Sequence, residues 1–211
     1  MNIFVLSSGR SGTVTFAAAC KHIKGFSVGH EQNVCLTGED RFSYPDNHIE
    51  VDNRLSWLLG RLDSCHSSSA FYVHLTRDPK KVYESFYRRR NRFKTIVNAY
   101  HEGILMRSDA VSQNSCKDLV HTIDANIKLF LKDKTECSVT VSLENIESDF
   151  FDFVRRIGVE VDEKKALKAL RTAHNSSPGN RLVALVRSYG SYVKHRILRI
   201  PIDYNYPHDK F

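Results

Sequence analysis

The chain has 211 residues, 41% of them apolar and 10% aromatic; it is long enough to bury one sizeable core and too apolar for a disordered protein. Lys and Arg outnumber Asp and Glu by 31 to 24, a net charge of +7, which favours anionic partners: a nucleotide, nucleic acid, a sulfated or phosphorylated glycan, or a membrane surface. Cys20, Cys35, Cys65, Cys116 and Cys137 are an odd set without a C-x-x-C pair, so reduced thiols are expected rather than a disulfide frame; with no secretory-signal pattern and no apolar run of bilayer length, the reading is a cytoplasmic enzyme.

Residues 2–6 read as a short buried strand. The polar, glycine-containing stretch S-S-G-R-S-G-T (Ser7–Thr13) follows, and from Thr13 the apolar residues Phe16, Ala19, Cys20 and Ile23 share one helical face. Phe26–Val28 reads as a second strand ending at His30 and Glu31. Residues 32–50 look irregular, with Gly38, Pro45, Asp46 and Asn47 as breakers. Asp52 can cap a helix with Leu55, Leu58, Leu59 and Leu62 on one stripe. Ala70–Thr76 is a third strand running into Arg77-Asp78-Pro79, where proline suits a first helical turn. Helices are expected at 94–107 and 117–132, the second with Ser115 and Asp118 at capping-box spacing. Ser138–Ser142 is a β-branched fourth strand. A helix carrying Ile146, Phe150, Val154 and Ile157 stops at Gly158, and residues 162–173 are helical again. Strands alternating with helices predict one α/β domain, a central parallel sheet with helices on both faces.

Two motifs carry chemistry. A glycine turn between strand and helix aims backbone N–H groups outward at a helix N-terminus, an anion-binding arrangement. In Ser8-Gly9-Arg10-Ser11-Gly12-Thr13-Val14 the hydroxyls and Arg10 add donors and charge. The glycines are three apart and no Lys follows Gly12, so this is not the nucleoside-triphosphate loop; a tight turn that binds nothing is the plain alternative. The second motif is R-D-P-x-x-V-x-x-S. It sets Arg77 at a strand's carboxyl end, where α/β folds place ligands, and Ser85 two turns into the following helix, a second phosphate clamp.

The pair of motifs, in this order and on these elements, resembles the sulfotransferases that use 3′-phosphoadenosine 5′-phosphosulfate. The resemblance implies a P-loop-like α/β fold. It assigns Ser8 to Val14 to the 5′-phosphosulfate, with Arg10 where cytosolic small-molecule members have Lys, and Arg77 and Ser85 to the 3′-phosphate. Val139–Ile146, followed by a helix ending in Arg156-Ile157-Gly158-Val159, is similar to the family's V-x-Y-E-D-L strand and the helix after it, with Ser142 and Asn145 replacing Tyr and Asp. Together the resemblance covers residues 2–31, 70–93 and 137–175.

Sulfuryl transfer needs a base for the acceptor and positive charge on the leaving group. In tyrosylprotein sulfotransferases a glutamate follows the loop arginine at the interval separating Arg10 from Glu31, in a G-E-E context. By that resemblance Glu31 is the general base. His30 is the rival, since small-molecule sulfotransferases use a histidine, though from another segment. Both are expected beside the first loop. Arg10 supplies the charge. Arg54 is a candidate second cation, more readily read as a solvated helix arginine; Asn53, Arg54 and Trp57 are candidate acceptor contacts, with Trp57 favoured as core. No metal is expected.

The whole chain, 1–211, is read as one sulfotransferase-like domain: a cofactor core of 1–31 and 70–175, an acceptor-binding insertion 32–69, and a basic segment 175–211 in which Arg181 or Arg187 is a candidate contact for the 3′-phosphate. The acceptor is a small molecule or glycan carrying a hydroxyl or amine. The arginine run Arg88–Arg92 reads as a solvated helix face, and nucleic acid is not the expected partner. Two other functions compete: a nucleotide or small-molecule kinase using the same loop, and a non-catalytic nucleic-acid binder using the basic helix.

Overall fold

A computed structural model describes residues 1–92 and 95–172. Five strands form one parallel sheet in the order β2-β3-β1-β4-β5: β1 Asn2–Leu6, β2 Ser27–His30, β3 His48–Val51, β4 Ala70–Thr76 and β5 Ser138–Ser142. The helices are α1 Thr13–Cys20, α2 Leu59–His66, α3 Pro79–Arg88, α4 Ile96–Asn98, α5 Gln113–Leu131, α6 Ile146–Ile157 and α7 Glu163–Arg171. The chain gathers into two compact units, one built from Met1–Val82 and from Val120 onward, the other from Tyr83–Leu119 among the described residues.

The first unit holds the sheet. Alternate residues of each strand point to opposite faces. Ile3, Val5, Ile49, Val51, Phe71, Val73, Leu75 and Val141 face an apolar layer of Phe16 and Cys20 from α1, Phe150 and Phe153 from α6, and Ala166 and Leu170 from α7. Phe16 meets Phe150 edge-on, ring centres 5.6 Å apart. Opposite, Tyr72 meets Phe130 of α5 edge-on at 5.1 Å, and Phe4 packs against Tyr44 and His66. Helices therefore cover both faces, as the alternating pattern predicts.

Several expectations need correction. Residues 32–50 are not wholly irregular, because His48–Val51 is a strand between β2 and β1. No continuous helix follows Asp52: a 3-10 turn, Asn53–Trp57, comes first, and Leu58 breaks helical geometry before α2. Of the helix expected at 94–107, the described residues from Thr95 hold the short α4 and a π-wound turn, Ala99–Ile104, in place of a regular helix.

The second unit is tied by polar contacts. His101, fully buried, bonds Ser115 Oγ through Nδ1 at 2.9 Å and the Asp109 carbonyl through Nε2 at 2.8 Å. The expected Ser115–Asp118 capping box does not form. Ser112 caps α5 by accepting the Ser115 N–H at 3.1 Å, while Asp118 accepts from the Tyr100 hydroxyl. The helix starts earlier than the apolar periodicity indicates, because its first turn is polar.

No helix among the described residues is long and apolar enough to cross a membrane.

Candidate active site

All five strands run the same way, so their carboxyl ends share one edge of the sheet. Within the first unit that edge receives the Ser7–Thr13 loop after β1, Glu31 after β2, Asp52 and the 3-10 turn after β3, and Arg77 after β4.

The loop is wound tightly. Gly9, Arg10 and Gly12 have φ of 83°, 60° and 85°, all left-handed, and a tight turn of this kind can aim backbone N–H groups at an anion. The fold braces the loop through serines. Ser7 N–H donates to Ser56 Oγ at 3.2 Å and Ser56 Oγ–H returns to the Ser7 carbonyl at 3.1 Å; Gly9 N–H donates to Ser7 Oγ, and Ser11 Oγ–H to the Gly9 carbonyl. Helix α1 opens from Gly12 with no side chain capping it, so its first-turn N–H donors suit an anion. These donors, with the hydroxyls of Ser8, Ser11 and Thr13 and the charge of Arg10, fit a phosphosulfate in chemical type.

Arg77 reaches the loop, its Nη1 donating to the Arg10 carbonyl at 3.1 Å. Ser85 is buried on α3, in the second unit. His30 Nε2 lies 3.2 Å from Thr13 Oγ1, so this histidine contacts the end of the loop. Strand β3 separates β2 from β1, and His30 meets the loop at Thr13, the first residue of α1.

Glu31 is left-handed at φ 55°, a conformation costly for a residue with a Cβ. Its carboxylate meets Arg54 at 2.7 Å (Oε2 to Nη1). Arg54 lies in the 3-10 turn with its side chain 40% exposed, and it is the ion-pair partner of the candidate base. Trp57, favoured as core, is only half-buried. Asn53 places its Oδ1 in a buried position without a hydrogen-bond partner among the described residues, an acceptor able to receive a donor from a bound molecule.

Four side chains here escaped the sequence reading: Arg41, His48, Glu50 and Ser56, with Asp52 noticed only as a cap. Glu50 and Asp52 are fully buried. Glu50 accepts the Gln32 N–H at 2.9 Å and meets His48 Nε2 at 3.0 Å, and His48 Nδ1 meets Ser27 Oγ at 2.8 Å. Asp52 accepts the Arg54 N–H at 2.8 Å and forms a buried ion pair with Arg41. Burial pushes the Asp52 carboxyl up from the usual carboxylate range, against the opposite pull of Arg41. The available signal was the alternation His48-Ile49-Glu50-Val51-Asp52, two β-branched residues between three polar ones, which is a strand's period.

No group of three or more metal-ligating side chains occurs among the described residues. Arg181 and Arg187 lie outside them.

The fold is similar to that of the sulfotransferase domain from the curacin biosynthetic pathway, with a TM-score of 0.54 over 87% of this chain and 81% of that one, at 14% sequence identity. No protein-family model and no curated protein matches the sequence.

Proposed function

We propose that the protein is a sulfotransferase that moves a sulfuryl group from 3′-phosphoadenosine 5′-phosphosulfate to a hydroxyl or amine of a small molecule or glycan. The observation that carries this reading is the meeting of the two sequence motifs at the carboxyl edge of the sheet, where Arg77 bonds the backbone of the glycine loop at Arg10. The likeness of fold to a sulfotransferase domain supports it.

Bound there, the cofactor supplies a sulfuryl group activated by its anhydride link to phosphate. The chain's own residues do the rest. Ser8 to Val14 hold the 5′ end through N–H and hydroxyl donors. Arg10 sets positive charge where the departing phosphate gathers negative charge. Arg77 takes the 3′-phosphate, an anion suited to a guanidinium fork. Glu31 receives the acceptor's proton on its carboxylate; Arg54 fixes the direction of that carboxylate and adds a second cation at the edge. His30, in contact with Thr13, orients that hydroxyl toward the loop.

Calorimetric titration with adenosine 3′,5′-bisphosphate tests the reading, with adenosine 5′-monophosphate and ATP–magnesium as controls. Micromolar binding that requires the 3′-phosphate is the expected outcome. Arg77→Ala should weaken it roughly 10- to 150-fold, the loss of about 1.5–3 kcal/mol for a hydrogen bond to a charged group. Glu31→Gln should keep the affinity and lose transfer. Preference for ATP–magnesium, or equal loss of affinity in both variants, would overturn the assignment.

A further inference from the structure

Strand β3 breaks the usual rule for its position. A strand inside a parallel sheet is buried on both faces and normally apolar throughout. Here one face carries Ile49 and Val51, and the other carries His48, Glu50 and Asp52, none more than 2% exposed. Burying carboxylates is costly unless each is paired and hydrogen-bonded. Glu50 pairs with His48 and Asp52 with Arg41, and each carboxylate also holds a backbone N–H at the candidate site. Glu50 holds the N–H of Gln32, the residue after Glu31. Asp52 holds the N–H of Arg54, the partner of Glu31.

Neighbouring elements make room for this layer. Gly29 pairs with Glu50 across β2 and β3. A Cβ on Gly29 would collide with Glu50 Oε2 and approach Gln32 Oε1 at 2.7 Å and His48 Nε2 at 2.9 Å. Tyr44 stacks on His48, ring centres 5.3 Å apart and 12° from parallel, and Arg41 covers Asp52. Glu31 N–H donates to the Val51 carbonyl at 3.2 Å, so the left-handed turn at Glu31 is fastened on both sides: to the backbone of β3 before it and to a β3 side chain after it.

We propose that Glu50 and Asp52 are positioning residues for the reaction, Glu50 fixing the Glu31–Gln32 turn and Asp52 fixing the backbone of Arg54, so that one strand sets both halves of the Glu31–Arg54 pair. This rests on the sulfotransferase reading for its chemistry but not for its geometry. Neither carboxylate touches the reacting atoms. Each acts through a backbone N–H, so the need is for a hydrogen-bond acceptor at that point. Glutamine in place of Glu50 keeps such an acceptor and alanine does not.

The test compares wild type, Glu50→Ala, Glu50→Gln and Asp52→Ala by three readouts: amide hydrogen exchange by NMR, affinity for adenosine 3′,5′-bisphosphate, and consumption of 3′-phosphoadenosine 5′-phosphosulfate with water as the acceptor, releasing sulfate and adenosine 3′,5′-bisphosphate. In Glu50→Ala the Gln32 amide should exchange at least tenfold faster, and in Asp52→Ala the Arg54 amide should do so, while amides of β1 and β4 keep their protection. Bisphosphate affinity should stay within about threefold, and cofactor consumption should fall at least tenfold. Glu50→Gln should recover most of both the protection and the rate, which a merely space-filling role would not require of its acceptor oxygen. Unchanged exchange at Gln32 and Arg54, or altered exchange with an undiminished rate, would overturn the proposal. If an alanine variant does not fold, Glu50→Gln and Gly29→Ala decide: the first must keep the Gln32 amide protected and the second must lose that protection. If wild type neither binds the bisphosphate nor consumes the cofactor, the sulfotransferase reading fails, and the exchange data still decide whether β3 holds the pair.

Discussion

Gly12 has two separate reasons to be glycine. Its φ of 85° lies in the left-handed region, and a Cβ there would stand 2.6 Å from Leu143 Cδ1. The second conflict can relax, since a leucine methyl can move, but the first cannot without unwinding the loop. Gly12→Ala should therefore destabilise the protein by about 1–3 kcal/mol, the cost of forcing a side chain into this backbone region. Urea unfolding measures it, and adding Leu143→Ala should return only the part due to contact. A loss that vanishes in the double variant would show that the backbone conformation costs nothing here. Gly12 was legible from sequence because small residues between a strand and a helix have few physical uses. The ion pair of Glu31 with Arg54 was not. It joins residues 23 positions apart through a turn whose path depends on β3, and a carboxylate's partner cannot be read without that path.

At the scale of elements, the sheet and its covering helices were legible wherever burial is uniform. Strands β1 and β4 are apolar runs, and α6 shows its stripe and its glycine stop, Gly158, with φ 69°. β3 was hidden because its polar face is buried by pairing rather than by apolar contact, so the segment reads as the end of an irregular stretch whose breakers run up to Asn47. Asp162 offers an element-scale test of a feature that was readable. Its carboxylate accepts the Lys165 N–H at 3.1 Å at the start of α7, a helix of nine residues that sends Ala166 and Leu170 into the core. So short a helix has little intrinsic stability. Asp162→Ala should cost about 1 kcal/mol of global stability and Asp162→Asn much less, because asparagine also caps; thermal unfolding of the two variants makes the comparison. Equal losses would move the effect from the cap to the ion pair of Asp162 with Lys165.

Across the sheet-bearing unit, the response to acid depends on which buried groups the fold holds uncharged. His74, on the face of β4 that carries Tyr72, is 5% exposed and meets Asp124 Oδ1 at 3.2 Å, while Asp124 also binds Lys128 at 2.7 Å. Burial lowers the His74 pKa from its ordinary 6.5; Asp124 draws it back up and Lys128 pushes it further down. The folded protein therefore resists protonation at a pH where the unfolded chain accepts it. Unfolding takes up a proton, and stability must fall as pH drops through about 6.5 toward the lower folded value, at no more than about 1.4 kcal/mol per pH unit for one proton. Asp52 acts in the opposite sense. Its carboxyl is raised by burial, so the folded form binds the proton first and acid favours folding through that group. The difference between wild type and His74→Gln cancels Asp52 and the other groups that do not touch His74. Urea unfolding between pH 7.5 and 5.5 should show wild type losing stability more steeply than His74→Gln, with the two curves converging as pH falls. Parallel curves across that interval would mean that Asp124 just offsets burial and Lys128 and that His74 is charged as readily inside the protein as outside it.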